Sequence, residues 1–500
     1  MNTDARAGGR TGDPADAPDL RRWKALWVTL TTGFMSLLDV TIVAVALPSM
    51  QRELNASAAS VQWVVSGYAL AFALVLVPAG RLGDAVGRRR IFLGALAGFV
   101  LCSAAAGAAP TIAWLVVARI VQGACAGCLA PQNSALIQQM FRGAERGRAF
   151  GLFGATVGIS SALGPVIGGL ILALAHGDQG WRWIFYVNVP VGAIALLLGV
   201  RLLPRVAPGR RERLDLPGTA LLGAGVLGLM LPLAFAESGG VHRLWWLFPA
   251  GALLLVLFVR WERRVAADEG RPLLDPRLLT GTRGYAPGAA LGALYFVGFS
   301  GVWLVFALFF QNGLGYTPLE SGLAVTPFAI GSAGAAVIAG RLVERFGRLL
   351  TVWGLVTVLM GLTATALILR TAPPDTVAWL AAPALFVGGL GSGCVISPNV
   401  TMTLRDVPVR MAGAAGGALQ TGQRLGGAVG TAALPGLFYL VLAADGRNYR
   451  TAVFLSVAFA LVAVLAALAV AFLDWHRDRH RRGRGGPRQV RAGHFSASRG

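Results

Sequence analysis

The chain has 500 residues, of which 55% are hydrophobic, 67 are glycine and only 13% are charged. A soluble protein of this length carries about 25% charged residues, because its surface must be solvated. The composition therefore excludes a set of soluble domains, and the hydrophobicity excludes a disordered chain. We expect an all-α membrane protein that crosses the bilayer several times.

A helix that crosses the hydrocarbon core of a bilayer needs about 20 mostly apolar residues. Fourteen runs of about this length follow one another: 25–47, 61–79, 91–109, 111–131, 149–172, 183–203, 214–236, 244–259, 287–311, 321–340, 349–369, 376–400, 413–442 and 451–473. The first run follows a long polar leader and contains Asp39, so we interpret it as a retained span and not as a signal peptide. The sequence therefore predicts fourteen spans.

The positive charges lie almost entirely on one side of these spans. The tails and the loops on their side hold 36 of the 44 basic residues, whereas the opposite loops hold six. Loops rich in arginine remain cytoplasmic. We therefore predict that both termini are cytoplasmic and that the Arg-rich tail after Asp474 contacts anionic lipid, so the net charge of +21 needs no nucleic acid as partner.

One loop sequence occurs twice, which predicts an internal repeat. GRLGDAVGRRR begins at Gly80 and GRLVERFGRLL begins at Gly340, so matching residues are 260 positions apart. We expect two six-helix bundles with two inserted helices between them. The predicted organisation is a tail at 1–24, a bundle at 25–203, a linker with spans seven and eight at 204–286, a bundle at 287–473 and a basic tail at 474–500. Parallel repeats of this kind flank a central site in transporters.

Five segments resemble motifs of the major facilitator superfamily, and specifically of drug:proton antiporters with fourteen spans, the EmrB/QacA subfamily. They are the loop that begins at Gly80, LDVTIVAVALP at 38–48, ARIVQGACAG at 118–127, GISSALGPVIGG at 158–169 and WRWIFYVNVPVG at 181–192. The resemblance implies the major-facilitator fold. It also implies export of small amphiphilic drugs or antibiotics by alternating access, in a bacterial plasma membrane and driven by protons.

Asp39 is the one acidic residue deep within a predicted span, and such a carboxylate indicates a functional site. It lies about 13 Å from the end of its run, and Arg119 lies at a similar depth of about 12 Å in the fourth run, at 1.5 Å per residue. We predict that the two interact, directly or through water, facing a central cavity, and that together they couple protons to transport. The alternative is a static charge pair that fixes helix packing.

Two further groups have both a functional and a plain structural interpretation. The loop residues predicted to form a gate on the cytoplasmic side are Gly80, Asp84, Gly87, Arg88 and Arg89; the alternative is ordinary loop charge. Small residues of the fifth run are predicted to let a bending antiporter helix approach its neighbours closely. These are Gly158, Gly164, Pro165, Gly168 and Gly169, and the alternative is a static packing face.

Polar and aromatic residues in several spans are candidates for a substrate cavity. The polar candidates are Gln122, Gln420, Gln423 and Arg424, although Arg424 has an alternative partner in a backbone carbonyl. Trp303, Phe306, Phe309 and Phe310 in the ninth run are candidates for an aromatic pocket, but we favour packing against lipid for them. Neither set identifies the substrate.

The sequence has no Gly-x-x-x-x-Gly-Lys loop for ATP, so we expect no cofactor and a proton gradient as the energy source. We expect a small molecule and protons as the transported partners, no metal site, and function as a monomer. The alternatives are an exporter or symporter of a metabolite or siderophore, a membrane-embedded enzyme and a sensor. Because no cluster of acids or histidines accompanies Asp39, an enzyme is disfavoured.

Overall fold

The computed structural model describes residues 20–175, 178–205, 215–235, 240–267, 272, 277–408, 411–444 and 448–484. These residues form helices joined by short turns, and no β-strand occurs among them. Residues 1–19 and 485–500 of the two predicted tails lie outside the described residues.

The first bundle consists of long helices in the order that the apolar runs predict. Its elements are α1 (Leu20–Glu53), α2 (Ala58–Val86), α3 (Arg88–Gly107), α4 (Ile112–Met140), α5 (Gly143–Leu174), a short 3-10 turn (Asp178–Trp181), α6 (Arg182–Tyr186) and α7 (Asn188–Leu202). Four helices follow: α8 (Leu216–Ala234), α9 (Gly240–Arg243), α10 (Leu247–Ala267) and α11 (Arg277–Thr280). The second bundle contains α12 (Tyr285–Leu308) with a π-helical turn (Phe309–Gly313), α13 (Pro318–Phe346), α14 (Arg348–Thr371), α15 (Val377–Thr403), α16 (Ala412–Ala444) and α17 (Tyr449–Arg484).

Eleven segments of the described residues are long and apolar enough to cross a membrane, and each overlaps one of the predicted runs. The fifth, seventh and eighth runs also lie on helices, namely α5, α8 and α10, but these helices are not among the eleven. The shorter apolar segment Pro217–Leu233 belongs to α8. The described residues therefore form an all-helical fold with eleven candidate spans, and fourteen remains a prediction.

The repeated loop makes the same turn in both bundles. Gly87 joins α2 to α3 with φ of 112°, and Gly347 joins α13 to α14 with φ of 54°. These positive φ values are costly for any residue with a Cβ atom, so glycine is required at both joints. The spacing of 260 residues between them agrees with the sequence repeat.

Two large apolar cores hold the bundles together. One core lies within α12 to α17 and includes Tyr295, Phe306 and Leu355. The other joins α1 to α4 and α7 to residues of the second bundle, among them Tyr285 and Leu404. Because this second core crosses between the bundles, they are packed together on the side where the repeated loop lies.

The inserted helices α8 and α10 cover the boundary between the bundles. Leu222 and Val226 of α8 and Phe258 of α10 pack in one cluster with residues of α2. Leu425 of α16 packs against the same cluster. Since α2 and α16 belong to different bundles, the inserted pair contacts both of them.

Large apolar side chains point outward along several helices, as expected for a surface in contact with lipid. Trp379 is 82% exposed and Leu101 and Leu440 are each 70% exposed. The lipid-facing position that we favoured for the aromatic residues of the ninth run is wrong for Phe306, Phe309 and Phe310, which are buried. They fill the core of the second bundle, where rings that pack against one another leave little volume unfilled.

Candidate functional site

Asp39 and Arg119 form a direct ion pair inside the first bundle. Nη1 of Arg119 donates a hydrogen bond to Oδ2 of Asp39. Asp39 lies near the middle of α1 and Arg119 lies in the first half of α4. The matching depth predicted from the helical rise is the reason that these two side chains meet across the bundle.

The second carboxylate oxygen of Asp39 accepts hydrogen bonds from two amides. Nε2 of Gln122 lies 3.2 Å from Oδ1, and Nδ2 of Asn188 lies 3.1 Å from the same atom. Gln122 follows Arg119 by three residues on α4, so both side chains lie on one helix face. Every described hydrogen bond to the carboxylate therefore comes from an N–H donor.

The guanidinium of Arg119 is held from several directions. Its Nε donates to the carbonyl oxygen of Val64 at 3.1 Å and its Nη1 donates to Oε1 of Gln122 at 2.9 Å. Its Cζ lies 4.2 Å from the ring centroid of Tyr68 and 5.6 Å from that of Phe185. A guanidinium above an aromatic face is stabilised by the ring quadrupole.

The ion pair is sealed from water in this conformation. Asp39 and Gln122 are 0% exposed and Arg119 is 1% exposed. The expected position facing a central cavity is therefore not what the structure has, because α2, α4 and α7 supply partners that enclose the carboxylate. Proton exchange at Asp39 requires a second conformation in which water reaches it.

The enclosure gives the ion pair a chemical property that an exposed pair lacks. The attraction between two charges rises as the effective dielectric constant falls. Protonation of Asp39 would leave Arg119 charged without its counter-ion, and an unpaired buried charge is strongly destabilising. A single proton at this site therefore favours a rearrangement that hydrates Arg119 or supplies it with another partner.

Asn188 is held in position because the segment 181–192 is anchored to the C-terminal end of α1. Nη2 of Arg182 pairs with Oε1 of Glu53 at 3.0 Å, and Nε1 of Trp181 donates to the same carboxylate. Nη1 of Arg182 also donates to two carbonyl oxygens at the C-terminal end of α3, at 2.9 and 2.8 Å. The motif thus fixes the start of α7, from which Asn188 reaches Asp39.

Sequence reasoning missed Asn188 and Tyr68 as members of this site. Asn188 was detectable, because it is the one amide in the apolar run 183–203 and amides in a membrane interior require a partner. Tyr68 has a weaker signal, since a tyrosine at this depth is common in a helix core. Gln122, predicted to line a substrate cavity, belongs instead to the ion-pair network.

The predicted gate loop contacts the second bundle through Asp84. Its carboxylate accepts from the backbone N–H groups of Gly413 and Ala414 at 3.3 and 3.2 Å. Arg88 donates to the same carboxylate at 3.0 Å and to the carbonyl oxygen of Ala135 at 3.1 Å. A carboxylate at the first residues of α16 is stabilised by the helix dipole.

Two glycines of the repeated loop have distinct roles, whereas Arg89 lies elsewhere. A Cβ atom on Gly80 would collide with the backbone of Gly413, so glycine permits the close approach of α2 to α16. Gly87 supplies the turn to α3, and its Cβ would meet nothing within 4 Å. Arg89 donates to the carbonyl oxygen of Val200 at 2.6 Å, which ties α3 to α7 and leaves it outside the Asp84 contact.

The small residues of α5 contact two different neighbours. A Cβ atom on Gly158 would lie 3.5 Å from Oγ of Ser332 on α13 of the second bundle. A Cβ atom on Gly164 would collide with Thr41 on α1, whereas one on Gly169 would meet nothing within 4 Å. Gly168 is buried, and α5 continues through Pro165, whose side chain lies outside the described residues.

The polar candidates of α16 point in different directions. Gln420 donates from Nε2 to the carbonyl oxygen of Ala130 at 3.2 Å, which links α16 to α4. Nε2 of Gln423 lies 3.3 Å from the position that a Cβ atom on Gly292 would take, so it faces α12. Arg424 is half-buried, and its Cζ lies 4.3 Å from the ring centroid of Phe72 on α2.

Acidic, cysteine and histidine side chains do not converge on a metal site in the described part of the chain, where no group of three or more was found. The four cysteines are free thiols. Cys102 and Cys125 lie within hydrogen-bond reach of one another, as expected for small packing residues in neighbouring helices.

Comparison with known proteins places this helical architecture in a family. Residues 29–431 and, in an overlapping match, 288–498 fit the profile described as Major Facilitator Superfamily. The chain is 41% identical over 424 residues to the puromycin resistance protein pur8 of Streptomyces alboniger, which covers 83% of this chain and 82% of that protein. It is 37% identical over 443 residues to a probable actinorhodin transporter of Streptomyces coelicolor, which covers 87% of this chain and 75% of that protein.

The fold itself is also found among solved structures. The proton:xylose symporter XylE, bound to 6-bromo-6-deoxy-D-glucose, superposes with a TM-score of 0.63 at 15% sequence identity. The match covers 89% of this chain and 95% of that one. The repeated loop, the paired bundles, the family profile over most of the chain and the close relatives lead to one conclusion: the chain belongs to the Major Facilitator Superfamily.

Proposed function

We propose that the protein exports small amphiphilic drugs or antibiotics in exchange for protons, by alternating access between its two bundles. The observation that carries this proposal is the sealed ion pair of Asp39 and Arg119 within the first bundle. Relatives described as a resistance protein and as a transporter of an antibiotic support the class of cargo.

In this proposal Asp39 binds the transported proton and Arg119 responds to it. Protonation removes the negative charge that Arg119 faces, and the bundle rearranges until the guanidinium is hydrated or paired again. Release of the proton restores the ion pair and resets the carrier. The equilibrium between the two conformations is thus shifted by the difference in proton affinity between them.

The described conformation supports a carrier that is closed on the face bearing the basic loops. On that face Asp84 binds the start of α16, and the backbones of Gly147 and Gly340 meet closely between α5 and α13. Positively charged loops remain cytoplasmic. We infer that this conformation is closed to the cytoplasm and that opening there breaks the Asp84 contact.

The number of spans, the subfamily, the membrane and the energy source are part of the same proposal. We propose fourteen spans, with α5, α8 and α10 added to the eleven apolar segments, and membership of the EmrB/QacA subfamily. We place the protein in a bacterial plasma membrane with both ends in the cytoplasm. It acts as a monomer and draws its energy from the proton gradient, without a cofactor.

Inverted membrane vesicles energised by respiration test the proposal directly. Adding a transported toxin should make the acidified lumen more alkaline, because each imported molecule is exchanged for protons that leave. Candidate toxins come from a resistance profile measured in a host without its own pumps. Asp39→Asn, which keeps the size of the side chain and removes its proton site, should abolish the pH change while leaving expression normal.

The two outcomes that contradict the proposal are distinct. Acidification of the lumen on adding the toxin has the wrong sign for an exchanger. Retained proton-coupled export by Asp39→Asn would remove Asp39 from the coupling step and leave the ion pair with a purely structural role.

A further inference from the structure

Arg424 differs from the paired arginines Arg119, Arg182 and Arg348 in having no hydrogen-bond acceptor among the described residues. Arg119 pairs with Asp39, Arg348 pairs with Asp474 at 2.7 Å, and Arg182 pairs with Glu53 at 3.0 Å. Each of these three also donates to at least one backbone carbonyl. Among the described residues, Arg424 has only an aromatic ring as a partner.

This unpaired cation lies deep in the membrane and between the bundles. Twelve residues separate Arg424 from Ala412, the first residue of α16, which is about 18 Å at 1.5 Å per residue. Its guanidinium crosses from α16 to Phe72 on α2. Unlike Asp39 and Arg119, the side chain is only half-buried, so its donors are open to a bound molecule.

Physical chemistry makes such a position unfavourable unless something binds there. A guanidinium in a membrane interior needs an anion, a carbonyl or water to accept its hydrogen bonds. The ring of Phe72 stabilises the charge through its face but accepts none of the N–H donors in the guanidinium plane. The alternative is that Arg424 pairs with a backbone carbonyl. It is excluded among the described residues, because Arg424 donates to none of their carbonyl oxygens.

We propose that Arg424 is the receptor for an anionic oxygen group, a carboxylate or phenolate, on the exported molecule. This inference rests on the proposed export function and specifies the class of cargo. The planar fork of a guanidinium matches two oxygens of a carboxylate and binds them through charge-assisted hydrogen bonds. Asp39 and Arg119 neutralise one another, so Arg424 leaves one positive charge that a singly charged anion offsets.

The neighbouring rings place this receptor next to the proton site. Phe72 stacks on Tyr68 with centroids 6.2 Å apart, and Tyr68 lies 4.2 Å below Cζ of Arg119. A bound anion at Arg424 is therefore separated from the ion pair by two aromatic rings.

Two dyes with the same ring system test the charge preference. Fluorescein is an anion with a carboxylate and a phenolate, whereas rhodamine 6G is a cation built on the same xanthene. Binding of each dye to the purified full-length protein is measured by fluorescence polarisation, with no pH gradient. The wild type should bind fluorescein more tightly than rhodamine 6G.

Substitutions at and beside the receptor then locate the interaction. Arg424→Gln should weaken fluorescein binding by about tenfold or more, as expected for a lost charged hydrogen bond. Arg424→Lys keeps the charge but lacks the planar pair of N–H donors, so it should restore part of the affinity. Thr431→Ala on the same helix is the matched control, because its exposed hydroxyl donates only to carbonyl oxygens of α16, so the affinity should be unchanged.

Several results would overturn the inference. These are an affinity for fluorescein that changes less than about twofold in Arg424→Gln, tighter binding of rhodamine 6G by the wild type, or no binding of fluorescein at all. Thermal melting of Arg424→Gln checks that the variant folds, and Arg424→Lys keeps the test valid if it does not. Because binding is measured without a gradient, the two outcomes that contradict the proposed function, acidification of the lumen and retained proton-coupled export by Asp39→Asn, are separate results.

Discussion

Replacing Asn188 by alanine should slow transport without blocking it. Nδ2 of Asn188 donates to Oδ1 of Asp39 at 3.1 Å, and the carboxylate is 0% exposed. Without this donor, Oδ1 of the buried carboxylate keeps one described hydrogen bond, from Gln122, so the sealed ion pair is less stable. A carrier that resets by forming this ion pair then resets more slowly.

The size of the effect follows from the strength of one hydrogen bond to a charged group. Such bonds contribute about 1.5–3 kcal/mol, and about 1.4 kcal/mol corresponds to a tenfold change in an equilibrium constant. The rate of exchange should therefore fall by about tenfold or more. Gln122 and Arg119 still hold the carboxylate in the variant, so exchange itself persists.

Exchange of a fluorescent cargo in proteoliposomes, with the same pH on both sides, measures this rate. Ser103→Ala is the control, because Oγ of Ser103 accepts from Asn188 at 3.2 Å and makes no described bond to Asp39. Its rate should change by less than about twofold. If Asn188→Ala exchanged cargo as fast as the wild type, the amide of Asn188 would not support the ion pair during transport.

Three further predictions concern the gate, the contact between bundles and the aromatic support. Asp84→Asn should slow transport by about tenfold and leave cargo affinity unchanged, because the charge at the start of α16 is lost. The initial rate of export measures this slowing. Gly340→Ala should lower the melting temperature and the rate, since its Cβ would lie 2.5 Å from the Gly147 oxygen, whereas Gly334→Ala on the same helix meets nothing within 4 Å. Tyr68→Leu should reduce coupled export by removing the ring below Arg119, and Tyr68→Phe should preserve it.

Each of these has a result that would contradict it. An unchanged export rate in Asp84→Asn would show that the carboxylate does not hold the closed state. Equal melting temperatures for the two alanine variants would show that α5 and α13 do not meet tightly in the membrane. Loss of export in Tyr68→Phe would assign the essential contact to the hydroxyl, which donates to the carbonyl oxygen of Ser36 at 3.2 Å.

Some parts of the site were predictable because helices have fixed dimensions. The rise of 1.5 Å per residue places Asp39 and Arg119 at one depth. Opposite charges attract strongly in an apolar bundle, so the two side chains form an ion pair. The repeat is visible as well, since Gly87 and Gly347 both take a positive φ at the joint between two helices. Depth along a helix is therefore available from the sequence.

Other parts were not predictable because the rotation of each helix about its axis depends on packing. Gln122 and Arg424 were both candidates for the cavity, yet the first is sealed into the ion pair and the second remains half-buried. Arg89 lies next to Arg88 in the sequence and binds α7, away from Asp84. One residue turns a side chain by about 100° around the helix, and no periodicity in these apolar runs fixes that angle.

The sequence by itself determined that the chain is a membrane protein of helices, with two related bundles, its positive charge on one face and an acid and an arginine buried at one depth. These features depend on composition, on spacing along the chain and on the thickness of the bilayer, which are all one-dimensional quantities. Only the tertiary structure decided that Asn188 completes the set of partners around Asp39, that this ion pair is sealed, and that Arg424 faces the other bundle without a described acceptor. Those facts depend on which faces of separate helices meet, and close packing between distant segments sets that.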